Sequence, residues 1–151
     1  MIAGIISDTH GLLRPEAVTV LKGSDVILHA GDIGKPEVLE RLRRLAPVFA
    51  IRGNTDTAEW ASALPATTSV TAGPARIYIL HDLQTLDLDP AAAGFHLVVS
   101  GHSHQPSHTQ RASVIYLNPG SAGPRRFSLP MTVALVSLDG ETRRAEIVPL
   151  L

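Results

Sequence analysis

Apolar residues along this chain come in short blocks, each closed by glycine or by small polar residues. Ile2–Ile6, Asp25–Leu28 and Val48–Ile51 have the length and composition of buried strands. Between them the period changes. Pro15–Leu21 opens on a proline suited to a first helical turn. From Pro36 to about Leu45, Val38, Leu39, Leu42 and Leu45 share one helical face, while Glu37, Glu40, Arg41, Arg43 and Arg44 fall largely outside it. Strands alternating with helices are expected to run parallel, joined by right-handed crossovers. The second half loses the helical period. Strands are expected near Thr67–Thr71, Arg76–Leu80, His96–Ser100, Ser113–Leu117, Met131–Ser137 and Arg143–Val148, the last two joined through Asp139-Gly140 as a terminal hairpin. An α/β front and a β-rich back imply two sheets packed face to face with helices outside.

Composition narrows the picture. With 151 residues, 44% of them hydrophobic and 18% charged, the chain can bury one core, so a single domain over 1–151 is expected. A net charge of -1 without a long basic run, and 4% aromatic residues, argue against nucleic acid as a partner. The absence of cysteine excludes disulfides and thiolate metal sites. Met1-Ile2-Ala3-Gly4 enters a strand without a cationic start, and no apolar stretch is long enough to span a bilayer. A cytoplasmic protein with no membrane partner is the expectation, with homo-oligomerisation left open.

Candidate chemistry sits where the apolar blocks end. Asp8-Thr9-His10 follows Ile5-Ile6, Gly31-Asp32 follows Val26-Ile27-Leu28, and Gly53-Asn54 follows Val48–Ile51. His81 follows Ile77–Leu80, and Gly101-His102-Ser103-His104 follows Leu97-Val98-Val99. Taken singly, Asp-Thr-His, Gly-Asp and Gly-Asn each fit ordinary turns, and a lone His81 fits a structural histidine. Two histidines so close after a buried strand are uncommon without a metal. Strand ends share one edge of a sheet, so Asp8, His10, Asp32, Asn54, His81, His102 and His104 can converge there. That is more than one ion normally takes, which implies two ions sharing a ligand. His29 reads as a core residue that orients a ligand, Asp56 as a turn or supporting residue, and His96 and His108 as structural or exposed. Arg125 and Arg126 read as a solvated pair.

The series Asp-x-His, Gly-Asp, Gly-Asn, His, Gly-His-x-His, in that order, resembles the calcineurin-like metallophosphoesterases, and within them the small bacterial and archaeal phosphodiesterase branch. The likeness is supported by Ile5–Gly11, Leu28–Asp32, Arg52–Asp56 and Leu117–Ser121, and runs from Met1 to the terminal hairpin. It implies a four-layer α/β/β/α sandwich of two mostly mixed sheets. It also implies that Asp8, His10 and His104 hold one ion, that Asn54, His81 and His102 hold the other, and that Asp32 bridges both. Asn118 and Gly120 would lie on the substrate rim. Nitrogen and oxygen donors without thiolate suit Mn²⁺ foremost, with Fe²⁺, Zn²⁺ or Ni²⁺ as alternatives.

Two divalent ions outweigh the charge of Asp8 and Asp32, so the pocket would attract a small phosphoester substrate and acidify water held between the ions. Hydrolysis of small phosphodiesters is the leading reading, with Asp32, Asn54 and His10 in the catalytic set. A phosphomonoesterase on the same site, and a noncatalytic scaffold like the retromer subunit, are the alternatives. Two departures from the family pattern matter. Many members carry a histidine after the asparagine, where this chain has Thr55; and the branch often reads His-Gly-His where this chain has His81-Asp82-Leu83. Thr cannot serve as a general acid near neutral pH, and His10 would substitute in part.

Overall fold

The structure is a computed structural model that describes residues 1–140 and 143–150. Its first sheet contains β1 (Ile2–Ile6), β2 (Val26–His29), β3 (Val48–Ala50), β9 (Thr132–Ser137) and β10 (Arg144–Pro149), in the order β10-β9-β1-β2-β3. The second contains β4 (Thr67–Ala72), β5 (Ala75–Leu80), β6 (Leu97–Val99), β7 (Ser107–Arg111) and β8 (Val114–Asn118), in the order β4-β5-β6-β8-β7. In the first sheet parallel β1, β2 and β3 meet antiparallel β9, which pairs antiparallel with β10; in the second, parallel β5, β6 and β8 are flanked by antiparallel β4 and β7. The mixed two-sheet sandwich is thus the architecture the pattern implied.

The side-chain period of a strand explains how continuous apolar runs serve two cores at once. Ala3, Ile5, Val26 and Leu28 turn inward to meet Ile77, Ile79, Leu97 and Val99 of the other sheet. The alternating residues Ile6 and Ile27 turn outward, beneath α1 (Pro15–Leu21) and α2 (Pro36–Arg43), where Ala17, Leu21, Val38, Leu39 and Leu42 cover them. The fourth layer is thin. On the outer face of the second sheet, Leu80, Val98 and Val114 are covered by Leu83 and Leu86, around a 3₁₀ turn at Leu83–Thr85.

Three local readings shift. α2 ends at Arg43 instead of Leu45, and Leu45 packs on that core from beyond the helix. β7 carries no apolar pattern because all of its residues are exposed; backbone pairing to β8 alone makes it a strand. A second 3₁₀ turn covers Glu59–Ala63. The connection 138–143 of the terminal hairpin includes residues 141 and 142, outside the described residues, as is the last residue of the expected domain, 151. Asp139 in that connection receives the Met1 ammonium at 2.7 Å and the Ser137 hydroxyl at 3.1 Å. No helix among the described residues is long and apolar enough to cross a membrane.

Ile79 is fully buried between the sheets, two positions before His81. Ile79→Ala should lower unfolding free energy by about 3 kcal/mol through lost transfer energy and a residual cavity. Thr109→Ala, in exposed β7, should change it by less than about 0.5 kcal/mol. Urea titration of both variants checks the contrast.

Candidate metal centre

All seven candidate ligands lie just beyond the carboxyl ends of parallel strands, the edge at which open α/β sheets place ligands. Asp8 and His10 follow β1, Asp32 follows β2, Asn54 follows β3, His81 follows β5, and His102 and His104 follow β6. The two sheets therefore contribute opposite walls of one site.

Asp8 is fully buried, and its two oxygens differ. Oδ2 accepts the Ser7 hydroxyl at 2.7 Å and the His102 amide at 3.1 Å. Oδ1 lies 3.4 Å from His104 Nε2, 3.9 Å from His81 Nε2 and 4.0 Å from His10 Nε2. Asp32 Oδ2 lies 3.2 Å from His81 Nε2 and 3.8 Å from His10 Nε2, while its Oδ1 accepts the Thr55 amide at 3.0 Å. Asp8 Oδ1, His10 Nε2 and His81 Nε2 are buried without a hydrogen-bond partner among the described residues. Buried polar atoms are normally paired, so this cluster needs a positive species at its centre.

The tautomer of His81 sharpens the point. Its Nδ1 donates to the Ala30 carbonyl at 2.7 Å, so in a neutral ring the bare Nε2 lone pair faces the carboxylate oxygens. Only a proton on Nε2, or a cation between the groups, reconciles acceptor with acceptor. Burial disfavours the charged ring, but Asp32, the Ala30 carbonyl and Asp8 outweigh it and raise the His81 pKa. Burial likewise opposes ionisation of Asp32, and His81 with the Thr55 amide overcomes it, holding that carboxyl well below its ordinary range. For His104, burial wins over the attraction of Asp8 and the pKa falls. The residues fit divalent ions: Asp8, His10 and His104 form one donor group, Asp8, Asp32 and His81 another, with donor atoms within 4.8 Å of one another. Asp8 is common to both groups, and Asp32 also faces a histidine of each. Asn54 and His102 stand beside the second group, Oδ1 to Nδ1 at 3.2 Å, with the His81 and His102 ring centroids 5.2 Å apart.

Backbone conformation aims these side chains. Asp8, His10, Asp32, His102 and His104 have φ of 54°, 46°, 54°, 71° and 61°. A left-handed conformation costs a residue with a side chain about 1–3 kcal/mol and persists where its surroundings enforce it. Here Asp8 N donates to Gly31 O and His10 N to Asp32 O, each at 2.9 Å, locking the β1 and β2 loops together. Close approach explains two of the motif glycines. A Cβ on Gly53 would stand 2.2 Å from Asp32 Oδ1, and one on Gly101 would stand 2.1 Å from Ser7 Oγ and 2.6 Å from Asp8 Oδ2.

Supporting residues complete the frame. Buried Asp56 accepts amides from Ile33, Gly34 and Gly53 at 2.9–3.0 Å, tying the β2 loop to the β3 loop. The sequence marked Asp56 only as a turn or supporting residue; its position two residues after Asn54 was the available signal. Asn118 Nδ2 donates to the Gly101 carbonyl and the Ser103 hydroxyl, at 2.9 and 3.1 Å, and its Oδ1 accepts the Gly120 amide at 2.9 Å. The structure thus places Asn118 and Gly120 under the Gly101–His104 loop, with the Asn118 side chain engaged by protein. His108, Arg125 and Arg126 are exposed, and His96 Nδ1 accepts the Arg76 amide at 2.9 Å.

His29 lies in the core, as expected, with both ring nitrogens used. Nδ1 accepts the Gly31 amide at 3.1 Å. Thr9 Oγ1 donates to the Ile33 carbonyl at 2.8 Å and so receives Nε2–H at 3.0 Å. A neutral ring thereby braces the segments bearing Asp8, His10 and Asp32, and burial holds its pKa down at about 3.

Residues 1–141 match the calcineurin-like phosphoesterase superfamily domain. A probable metallophosphoesterase of Methanothermobacter thermautotrophicus is 34% identical over 160 residues, covering 98% of this chain and 92% of its own. The chain belongs to the calcineurin-like phosphoesterase superfamily, whose reaction class is hydrolysis and which implies divalent metal ions. Among solved structures, an archaeal phosphodiesterase superposes with a TM-score of 0.80 at 23% identity, covering 98% of this chain and 100% of that one. Chaetomium thermophilum Vps29 does so with a TM-score of 0.80 at 18% identity, covering 98% and 95%. At such identities these two likenesses establish the fold.

The His29 ring generates a pH prediction. An unfolded histidine titrates near 6.5 and the folded one at about 3, so between these values the unfolded chain binds more protons. The stability it contributes is complete above about pH 6.5 and is lost as pH falls toward 3. By pH 5 the loss is about 2 kcal/mol. His29→Asn keeps an acceptor for Gly31 and removes the titration. With chelator present throughout, its urea-derived stability should fall less steeply than wild type between pH 7 and 5.

Proposed function

We propose that the chain is a metal-dependent phosphodiesterase acting on small phosphodiesters through two divalent ions, with Mn²⁺ the best-suited metal. The observation that carries this reading is the convergence of buried, unpartnered acceptors of Asp8, His10 and His81 at one point. Asp8, His10 and His104 would hold one ion, Asn54, His81 and His102 the other, with Asp32 between them. When bound, the ions supply positive charge that neutralises phosphoryl oxygens and acidifies water at neutral pH.

The chain's own groups set the rest. The Ala30 carbonyl holds His81 with Nε2 on the site, and the Thr55 amide holds Asp32. Thr55 offers an alcohol where a leaving oxygen would want a proton, so departure depends largely on the acidity of the leaving group itself. His10, with its side chain 23% exposed, is the ligand through which a proton could pass in part. Two clefts support a diester. One, of about 320 Å³, is lined by Arg52, Asn54, Leu80, His81 and His102; the other, of about 250 Å³, by Gly101, His102, Ser103 and Asn118. They flank His102, and a diester has two organic arms to seat where a monoester has one. The Vps29 likeness is one of fold, and the intact donor set argues against a scaffold without chemistry.

Two outcomes follow. After loading with Mn²⁺ and desalting, elemental analysis should give close to two ions per chain, and Asp32→Ala should lose much of this. A content of one, unaltered by Asp32→Ala, would remove the bridging assignment. In turnover, bis(4-nitrophenyl) phosphate should be cleaved faster than 4-nitrophenyl phosphate, and aryl diesters much faster than alkyl ones. His102→Ala should reduce turnover by orders of magnitude with the fold retained. Preference for the monoester would overturn the diesterase reading, and inactivity across a panel of loaded protein and esters would favour the scaffold.

A further inference from the structure

Asp82 follows His81 directly and lines both clefts beside His102. It caps the 3₁₀ turn: Oδ1 accepts the Gln84 amide at 3.0 Å, and its carbonyl accepts the Thr85 amide at 3.0 Å and hydroxyl at 2.7 Å. These contacts anchor the backbone and one carboxylate oxygen. The other, Oδ2, lies 3.9 Å from His102 Nε2. The opposite nitrogen of the same ring, Nδ1, faces Asn54 Oδ1 at 3.2 Å. The His102 ring therefore stands between a carboxylate and a neutral ligand type.

A histidine that gives one nitrogen to a metal generally donates its other N–H to a carboxylate or carbonyl, which fixes the tautomer and ring plane and raises its basicity. His81 has the Ala30 carbonyl for this. His102 is the ligand in greatest need of such a partner, because its side chain is 45% exposed against 7% for His81 and 3% for His104. Asp82 is the carboxylate facing its free nitrogen, and both side chains retain enough freedom to close the gap by a torsional adjustment.

We propose that Asp82 is a positioning residue for His102: its Oδ2 receives Nε2–H, leaving Nδ1 bare beside Asn54 Oδ1 for the second ion. The inference rests on the two-ion reading above. Its consequence is that an acidic residue at the rim of a site that recruits anions strengthens metal binding there. Without the proposed contact, an acidic rim would only repel substrate.

Calorimetric titration of the full chain with Mn²⁺ tests this with two variants that both keep a cap for the Gln84 amide. Asp82→Asn retains Oδ1 for that amide and sets an NH₂ against Nε2–H. Asp82→Ser caps through its hydroxyl and falls short of the ring. Both should bind the first ion as wild type does and the second about tenfold more weakly, with the chelator-treated unfolding midpoint unchanged. Wild-type affinity for the second ion in either variant would overturn the proposal. His102→Ala separates the two levels of the argument. If it too binds both ions like wild type, the ligand assignment fails and the proposal falls with it. If it weakens the second ion while the Asp82 variants do not, only the role of Asp82 is lost.

Discussion

The structure depends on a crowding of acceptors that its interior alone cannot satisfy. Asp8 Oδ1 is buried against the ring nitrogens of His10, His81 and His104, and Asp32 presses on two of the same rings. In an apolar interior such a cluster is strongly unfavourable without compensating charge. Its retention explains much of the surrounding design: loops interlocked by backbone hydrogen bonds, glycines where a single methyl would strike a ligand, and His29 and Asp56 wholly occupied in bracing. A rigid sandwich supplies the anchorage, since β1, β2, β5 and β6, from which most of the ligand loops spring, lock their inward side chains into the intersheet core.

Much of this was legible in the sequence, for identifiable reasons. Parallel strands buried on both faces leave apolar blocks, and polar residues just past such blocks fall on one edge, so the ligand-bearing loops could be aligned without coordinates. α1 was legible from Pro15 and its apolar spacing. β7 was not, because Ser107–Arg111 buries no side chain and only the backbone specifies it. The left-handed geometry at five ligand positions left no trace either, since aspartate and histidine there give none of the warning that glycine would. The reach of Asp56 and the commitments of Asn118 are tertiary facts, set by which loops lie opposite one another.

Local strain and global firmness are linked here. The ligand loops hold conformations that isolated peptides of the same sequence would rarely visit, and the cost falls on the stability of the whole domain. That arrangement gives little gain in folding and much in preorganisation, because donors already aimed at a point need not be ordered when a cation arrives. Bound ions would return some of that stability by mass action.

The order of strands in the first sheet has a temporal consequence. β1 is paired on one side by β2, made soon after it, and on the other by β9, which begins at Thr132. A chain emerging from the ribosome would therefore hold β1 with one open flank until β9 had been synthesised. Over that interval the second sheet, whose strands all lie between β3 and β9, would be the covering available for the inward face of β1. Productive assembly then favours late, concerted closure over stepwise growth from the first residue, and an arrest before β9 would expose a flank ready to pair with a neighbouring chain.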